Sequence, residues 1–168
     1  MIHLSVNINK IATIRNARGG NLPDVTQFAI DCQKFGADGI TVHPRPDERH
    51  ITLNDVYSIS NHITTEFNIE GYPDERFMKI IRDIKPDQAT LVPDPPHVLT
   101  SNNGWDIKAN RESLMPIIEQ LKTIGTRISL FVNPDESSIF EAANIGIDRI
   151  ELYTGPFAEE FSINPNQA

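Results

Sequence analysis

Gly39-Ile-Thr-Val-His-Pro-Arg-Pro-Asp-Glu-Arg-His-Ile51 is a strand running into a crowded polar loop. Gly39 to His43 has the β-branched residues of a short strand, with a glycine at its start. Pro44 and Pro46 end it and prevent an immediate helix, so the chain is stiffened into a loop. That loop carries His43, Arg45, Asp47, Glu48, Arg49 and His50, six ionisable side chains in eight positions. Arginine forks suit phosphate or carboxylate, and imidazole suits proton transfer near neutrality. The segment reads as an anion-binding, proton-moving loop at the C-terminal end of a strand. The plainer alternative is a solvated connection.

The same unit recurs on either side. Ile2 to Ile8 is a first strand ending near Asn7, and Asn9 to Pro23 reads as a loop. In that loop Arg15, Arg18, Gly19 and Gly20 could cradle a phosphate with guanidiniums and backbone N–H groups, or form a plain flexible connection. Asp24 offers an N-cap for a helix from Val25 to Phe35, closed by Gly36. Helices are expected over Thr52–Ile63, Asp74–Ile84, Arg111–Ile124 and Pro134–Asn144, and a further one begins near Phe157. Between them lie strands at Glu66–Glu70, Gln88–Val92, Arg127–Val132 and Asp148–Tyr153. A long polar connection runs from Pro93 to Lys108.

Regular alternation of strand and helix implies right-handed crossovers and a parallel α/β sheet. A doubly wound nucleotide fold would show G-x-G-x-x-G or a Walker A sequence, and neither occurs. Asn7, His43, Glu70, Asn133 and Glu151 fall at or near strand C-termini, where a (β/α)8 TIM barrel collects its working residues. The barrel is therefore preferred. Such barrels run to ~250 residues and eight βα units. These 168 residues supply about six, so the expectation is an incomplete barrel forming one domain that lacks its last two units.

Composition narrows the function. Hydrophobic residues make up 39% and charged residues 23%, as in ordinary globular proteins. Fifteen basic against 23 acidic residues give a net charge of −8, which argues against nucleic acid or an anionic membrane as partner. Cys32 is the only cysteine, and Met1-Ile-His-Leu-Ser-Val lacks the regions of a signal peptide, so a cytoplasmic location is expected. Positive charge is instead local: Lys10, Arg15, Arg18, Arg45 and Arg49 all fall in the first two expected loops.

Among candidate chemical groups, Glu70 ends an apolar strand, where partial desolvation would raise its pKa toward general-base range. Glu151 alternates with Ile150 and Leu152 and is expected on the barrel interior, with Arg149 facing the other way. His43 and His50 are candidate acid–base groups or phosphate ligands, or structural histidines. Metal-ligand spacings are missing, and Trp105 and Tyr153 stand alone, without a stacking series for single-stranded nucleic acid.

Two longer stretches carry a resemblance. Ser5 to Gly19 and Ala37 to Ile51 closely resemble the pyridoxine 5′-phosphate synthase family, and Asn68-Ile-Glu70, Leu91-Val-Pro93, Ser129-Leu-Phe131 and Ile150 to Gly155 continue the match in order. The resemblance implies a TIM barrel assembled as a homo-octamer. It implies condensation of 1-deoxy-D-xylulose 5-phosphate with 3-amino-2-oxopropyl phosphate, releasing inorganic phosphate and water, with no metal or organic cofactor. By that resemblance His43 and Glu70 are proton acceptors and Glu151 stabilises a transition state. Asn7 and Arg18 would hold the amino-ketone phosphate; Asn9, Lys10, Arg45, His50 and Thr100 would hold the deoxyxylulose phosphate. Asn9-Lys10 stands where the family often has Asp-His, so a fixed cation replaces a titratable ring. The family's last two βα units, with a general-acid histidine and glycine-rich phosphate-binding ends, have no counterpart here, and weak activity or none is the expectation. Two rival readings remain: another phosphosugar lyase or isomerase on a TIM barrel, and a shortened barrel that only binds phosphorylated ligands or oligomerises.

Overall fold

The computed structural model describes residues 1–94 and 103–165. Its elements run β1 (Ser5–Asn7), α1 (Asn9–Arg18), α2 (Val25–Lys34), β2 (Gly39–Val42), α3 (Leu53–Ser60), β3 (Glu66–Gly71), α4 (Glu75–Ile84), β4 (Gln88–Leu91), α5 (Ile107–Ile124), β5 (Arg127–Val132), α6 (Glu136–Ala143), β6 (Arg149–Leu152) and α7 (Gly155–Ile163). None of the helices among these residues is long and apolar enough to cross a membrane.

Most helix starts are fixed by short acidic or hydroxyl side chains. Asp24, Asp74, Asp106 and Asp135 each accept a bond from a backbone N–H in the first turn of α2, α4, α5 and α6. Thr52 and Asp55 form a reciprocal capping box at α3. Asp106 moves the start of α5 one turn ahead of the expected Arg111. Pro116 lies inside α5 and removes one hydrogen bond from its ladder.

One expectation fails at β1. The segment after Asn7 is no glycine-loosened cradle but a ten-residue helix, α1, closed by Gly19 in the left-handed conformation. Its Lys, Ile, Ala and Arg residues favour helix, and Ala12 is fully buried beneath it. Backbone N–H groups from Thr13 onward are consumed by the helix and cannot face a phosphate.

The strands form one parallel sheet in the order β1-β2-β3-β4-β5-β6, each pairing with its chain neighbours. A doubly wound sheet would reverse direction from its first strand; this one never does. It also curls. In a flat sheet β3 and β6 would lie ~14 Å apart, at about 4.8 Å per strand. Here Arg149 on β6 donates to Glu66 on β3 across 3.4 Å. These are the geometry and winding of a barrel wall.

The two faces of that wall differ chemically. Ile40, Val42, Ile69, Ala89, Leu91, Ile128, Leu130 and Val132 are fully buried and face the helices, forming the hydrophobic core with Ile59, Ile81, Leu114, Ile118 and Leu121. The inner face is polar. Ser5 bonds Thr41, Thr41 accepts from Asn68, and Thr90 donates to Asn68 and accepts from Gln88. Toward the strand N-termini, Gln88 accepts from both Arg127 and Arg149, and Glu66 pairs with the same two arginines. Arg149 thus shares the inner face with Glu151, which corrects the expectation that it faces away. Residues two apart on a strand point the same way.

Candidate active site

His43 follows the last residue of β2, and its backbone N–H donates to Asn9 Oδ1 at 2.9 Å. Asn7 Oδ1 in turn accepts from the Asn9 N–H at 3.0 Å. The two asparagines therefore tie the end of β1 to the start of the His43 loop. Beyond Pro44 the loop turns at Glu48, whose φ is +50°, and its side chain accepts from the Leu53 N–H at the start of α3. Arg76 on α4 donates to the Pro44 carbonyl. Arg15 and Asn16 on α1 hold the His50 carbonyl at 3.2 and 2.9 Å. The loop is thus held from three helices, with Arg45 buried inside it.

Glu70 points inward from β3, with His43 Nδ1 3.9 Å from its Oε2. Burial is the main cause that pushes the Glu70 carboxyl up to about 8, and the neighbouring Glu151 carboxylate adds to it. His43 is pushed the opposite way, down to about 3, by burial and by the positive charges of Arg45, His50 and Arg49. Near neutrality the pair is therefore an acid beside a neutral base, not an ion pair, and their separation is too long for a direct hydrogen bond. Desolvation also raises Glu151. Such opposed shifts separate a proton donor from a proton acceptor within one pocket.

His50 lies edge-on to His43, with ring centroids 6.2 Å apart. Its Nδ1 accepts from the Ile51 N–H at 2.9 Å, so the neutral ring carries its proton on Nε2. Burial, Arg45 and Arg49 depress it to about 4, with a smaller push from Lys10. His43, Arg45, Gly71, Tyr72, Arg76 and Asp94 line a cleft beside this group. Asp94 is buried there, and its charge opposes the depression that burial and Arg49 impose on Arg45.

Of the residues expected at the site, the structure gathers Asn7, Asn9, His43, Arg45, His50, Glu70 and Glu151, with Lys10 exposed at the near end of α1. Arg18 stands eight residues further along α1, ~12 Å from Lys10 along the helix axis, and is exposed. Thr100 lies outside the described residues. The sequence reading missed Asp55, Arg76 and Asp94. Only Asp55 had a local signal, the Thr52-x-x-Asp55 capping spacing. Trp105 has a structural place: its Nε1 donates to the Leu91 carbonyl and its ring stacks on Tyr72.

Comparison with known proteins bears on the fold and the family. Among solved structures, mandelate oxidase superposes on 88% of the chain and 54% of its own, with a TM-score of 0.56 at 10% identity. The LapD S helix-GGDEF-EAL protein of Vibrio cholerae gives 0.53 at 14% identity, covering 88% of this chain and 35% of its own. At such identities the likeness is one of fold alone. Sequence relatives are nearer. The pyridoxine 5′-phosphate synthase of Porphyromonas gingivalis is 58% identical over 161 residues, 96% of this chain and 68% of that protein. That of Bacteroides thetaiotaomicron is 55% identical over 168 residues, 100% of this chain and 71% of that protein. The sequence model of the family described as "Pyridoxal phosphate biosynthesis protein PdxJ" matches residues 4–168, and the chain belongs to that family.

Proposed function

We propose that the protein is a pyridoxine 5′-phosphate synthase. It joins 1-deoxy-D-xylulose 5-phosphate to 3-amino-2-oxopropyl phosphate and yields pyridoxine 5′-phosphate, inorganic phosphate and water. The observation that carries the reading is the juxtaposition of His43 and Glu70, 3.9 Å apart with their proton affinities driven in opposite directions.

The chemistry calls for a proton acceptor and a proton donor in one pocket. The amine adds to a ketone, giving a carbinolamine whose nitrogen must lose a proton and whose hydroxyl must leave as water. Neutral His43 accepts the first proton, and protonated Glu70 supplies one to the departing hydroxyl. Glu70 is then a carboxylate beside the imidazolium of His43. Once His43 has passed its proton to solvent, Glu70 is ready to take one from carbon as the conjugated system forms. Loss of phosphate and aldol-type closure of the ring reuse the same two groups. Glu151, on the same inner face, places a second carboxyl where a cationic iminium develops.

The phosphates are assigned to the flanking loops. Arg45, His50 and Lys10, with Asn9 and Thr100, take the deoxyxylulose phosphate, and Asn7 and Arg18 take the amino-ketone phosphate. A phosphate between Arg45 and the His50 Nε2–H offsets the desolvation that disfavours positive charge on these two groups. For Arg18, set ~12 Å along α1 from Lys10, the assignment requires a separate second phosphate position. Assembly as a homo-oligomer is proposed on the family resemblance, and analytical ultracentrifugation reads it directly.

The test is formation of pyridoxine 5′-phosphate from the two substrates by purified protein, compared with Glu70→Gln. Slow product formation by the parent, in keeping with the weak activity expected of these residues, and a further loss on the order of 100-fold or more in the variant, without loss of substrate binding, is the expected result. Binding of both phosphoesters without turnover would favour the binding-only reading.

A further inference from the structure

We infer that Arg15 and Asp55 are positioning residues that fix the His50 side chain for phosphoester binding. The inference rests on the reading of the pocket given above. Arg15 Nη1 and Nη2 meet the two carboxylate oxygens of Asp55 at 2.5 and 2.9 Å, a bidentate pair with both side chains close to 90% withdrawn from solvent. Nη2 also donates to the His50 carbonyl, and Nε donates to Asn16 Oδ1. Four of its donor contacts go to protein oxygens, so Arg15 has no fork left for a phosphate, unlike a ligand arginine.

The consequence lies in the peptide between His50 and Ile51. Its carbonyl is held by Arg15 and Asn16, and its N–H donates to His50 Nδ1. Fixing the carbonyl fixes the peptide plane. The plane aims the N–H, and the N–H forces the neutral ring to be an acceptor at Nδ1 and a donor at Nε2. Asp55 does not act only on Arg15. Its Oδ2 also accepts from the Thr52 N–H and hydroxyl in the capping box of α3, so one carboxylate sets the start of that helix and the imidazole before it. A buried ion pair is a poor way to gain stability alone, but it is a good way to specify one arrangement.

Asp55→Asn and Arg15→Lys test this. Asn keeps the shape and capping capacity of Asp but not its charge. Lys keeps the charge but cannot reach both Asp55 and the His50 carbonyl. Two readouts are compared in variants whose circular dichroism is native: the His50 tautomer by long-range ¹H–¹⁵N NMR of the imidazoles, and KM against kcat for 1-deoxy-D-xylulose 5-phosphate. The expected result is a single Nε2–H tautomer in the parent and a mixture in each variant. KM should rise about tenfold, the loss of one charge-assisted contact, with kcat changed less. A variant that melts lower but keeps the parent tautomer and KM overturns the inference. If Asp55→Asn does not fold, Arg15→Lys decides by the same readouts. If the parent shows no turnover, the proposed activity falls, and the tautomer together with affinity for inorganic phosphate still decides the positioning role.

Discussion

At the scale of single residues, everything turns on two groups whose surroundings reverse their ordinary behaviour. Glu70, with a usual value of 4.5, is pushed up to about 8, and His43, with a usual value of 6.5, is pushed down to about 3. In the unfolded chain the glutamate releases its proton near 4.5. From there to about pH 8 the folded state holds more protons, so this group's contribution to stability falls as pH rises and is complete only below 4.5. Glu70→Gln deletes that slope. The variant is predicted to melt higher than the parent near pH ~9 and at a similar temperature near pH ~4.5, in thermal scans across pH. His43 acts in the opposite range: the unfolded ring binds a proton below 6.5 and the folded one only near 3, so its contribution is lost as pH falls through that window. Activity that uses protonated Glu70 as the acid has an alkaline limb near pH 8, read from kcat/KM against pH. The sequence announced Glu70 by its place at the end of an apolar strand. Its burial beside Glu151 depends on curvature that no local pattern encodes.

At the scale of elements, the site is set by how tightly strands, loops and helices approach. A Cβ on Gly71, directly after Glu70, would lie 2.3 Å from the Phe77 ring on α4. Gly71→Ala is predicted to cost about 1–3 kcal/mol, the range for overpacking, measured by urea unfolding. Gly71→Ala with Phe77→Leu should recover part of that loss, because the clash is with that ring; equal losses in single and double variants would reject the explanation. Strands and capped helices were legible because alternation and caps are local. The segment after β1 was misread because Arg15, Arg18, Gly19 and Gly20 have the composition of a phosphate loop. In fact Gly19 ends a helix there, and the buried Ala12 and the Arg15–Asp55 pair hold that helix in place. Asp55 sits 40 residues from Arg15, a distance across which sequence carries no signal without the fold.

At the scale of the whole molecule, a curled parallel wall brings β3, β5 and β6 together on its inner face. Glu66 pairs with both Arg127 and Arg149, and Gln88 accepts from the same two. This cluster pins the curvature at the N-terminal end, opposite the His43–Glu70 end. Glu66→Gln leaves both guanidiniums without their carboxylate. It is predicted to lower stability by about 1–2 kcal/mol, less than a fully buried pair because all three side chains are partly exposed, and the deficit should shrink as salt is raised. Barrel winding was legible from the strict strand–helix alternation and the polar residues at strand ends. The facing of Arg149 was misjudged through a miscounted strand period, and the inner network of Glu66, Gln88, Arg127 and Arg149 was not foreseen, since its members lie up to 83 residues apart.

The most direct measurement is a single-turnover assay of the purified protein with 1-deoxy-D-xylulose 5-phosphate and 3-amino-2-oxopropyl phosphate, with pyridoxine 5′-phosphate followed by its fluorescence, for the parent and Glu70→Gln side by side. Slow single-turnover product from the parent, with Glu70→Gln slower still by ~100-fold or more at unchanged substrate binding, is the predicted result. Equal rates in the two proteins, or no product from a folded parent that binds both substrates, would contradict the assignment of a proton-transferring condensation to the His43–Glu70 pair.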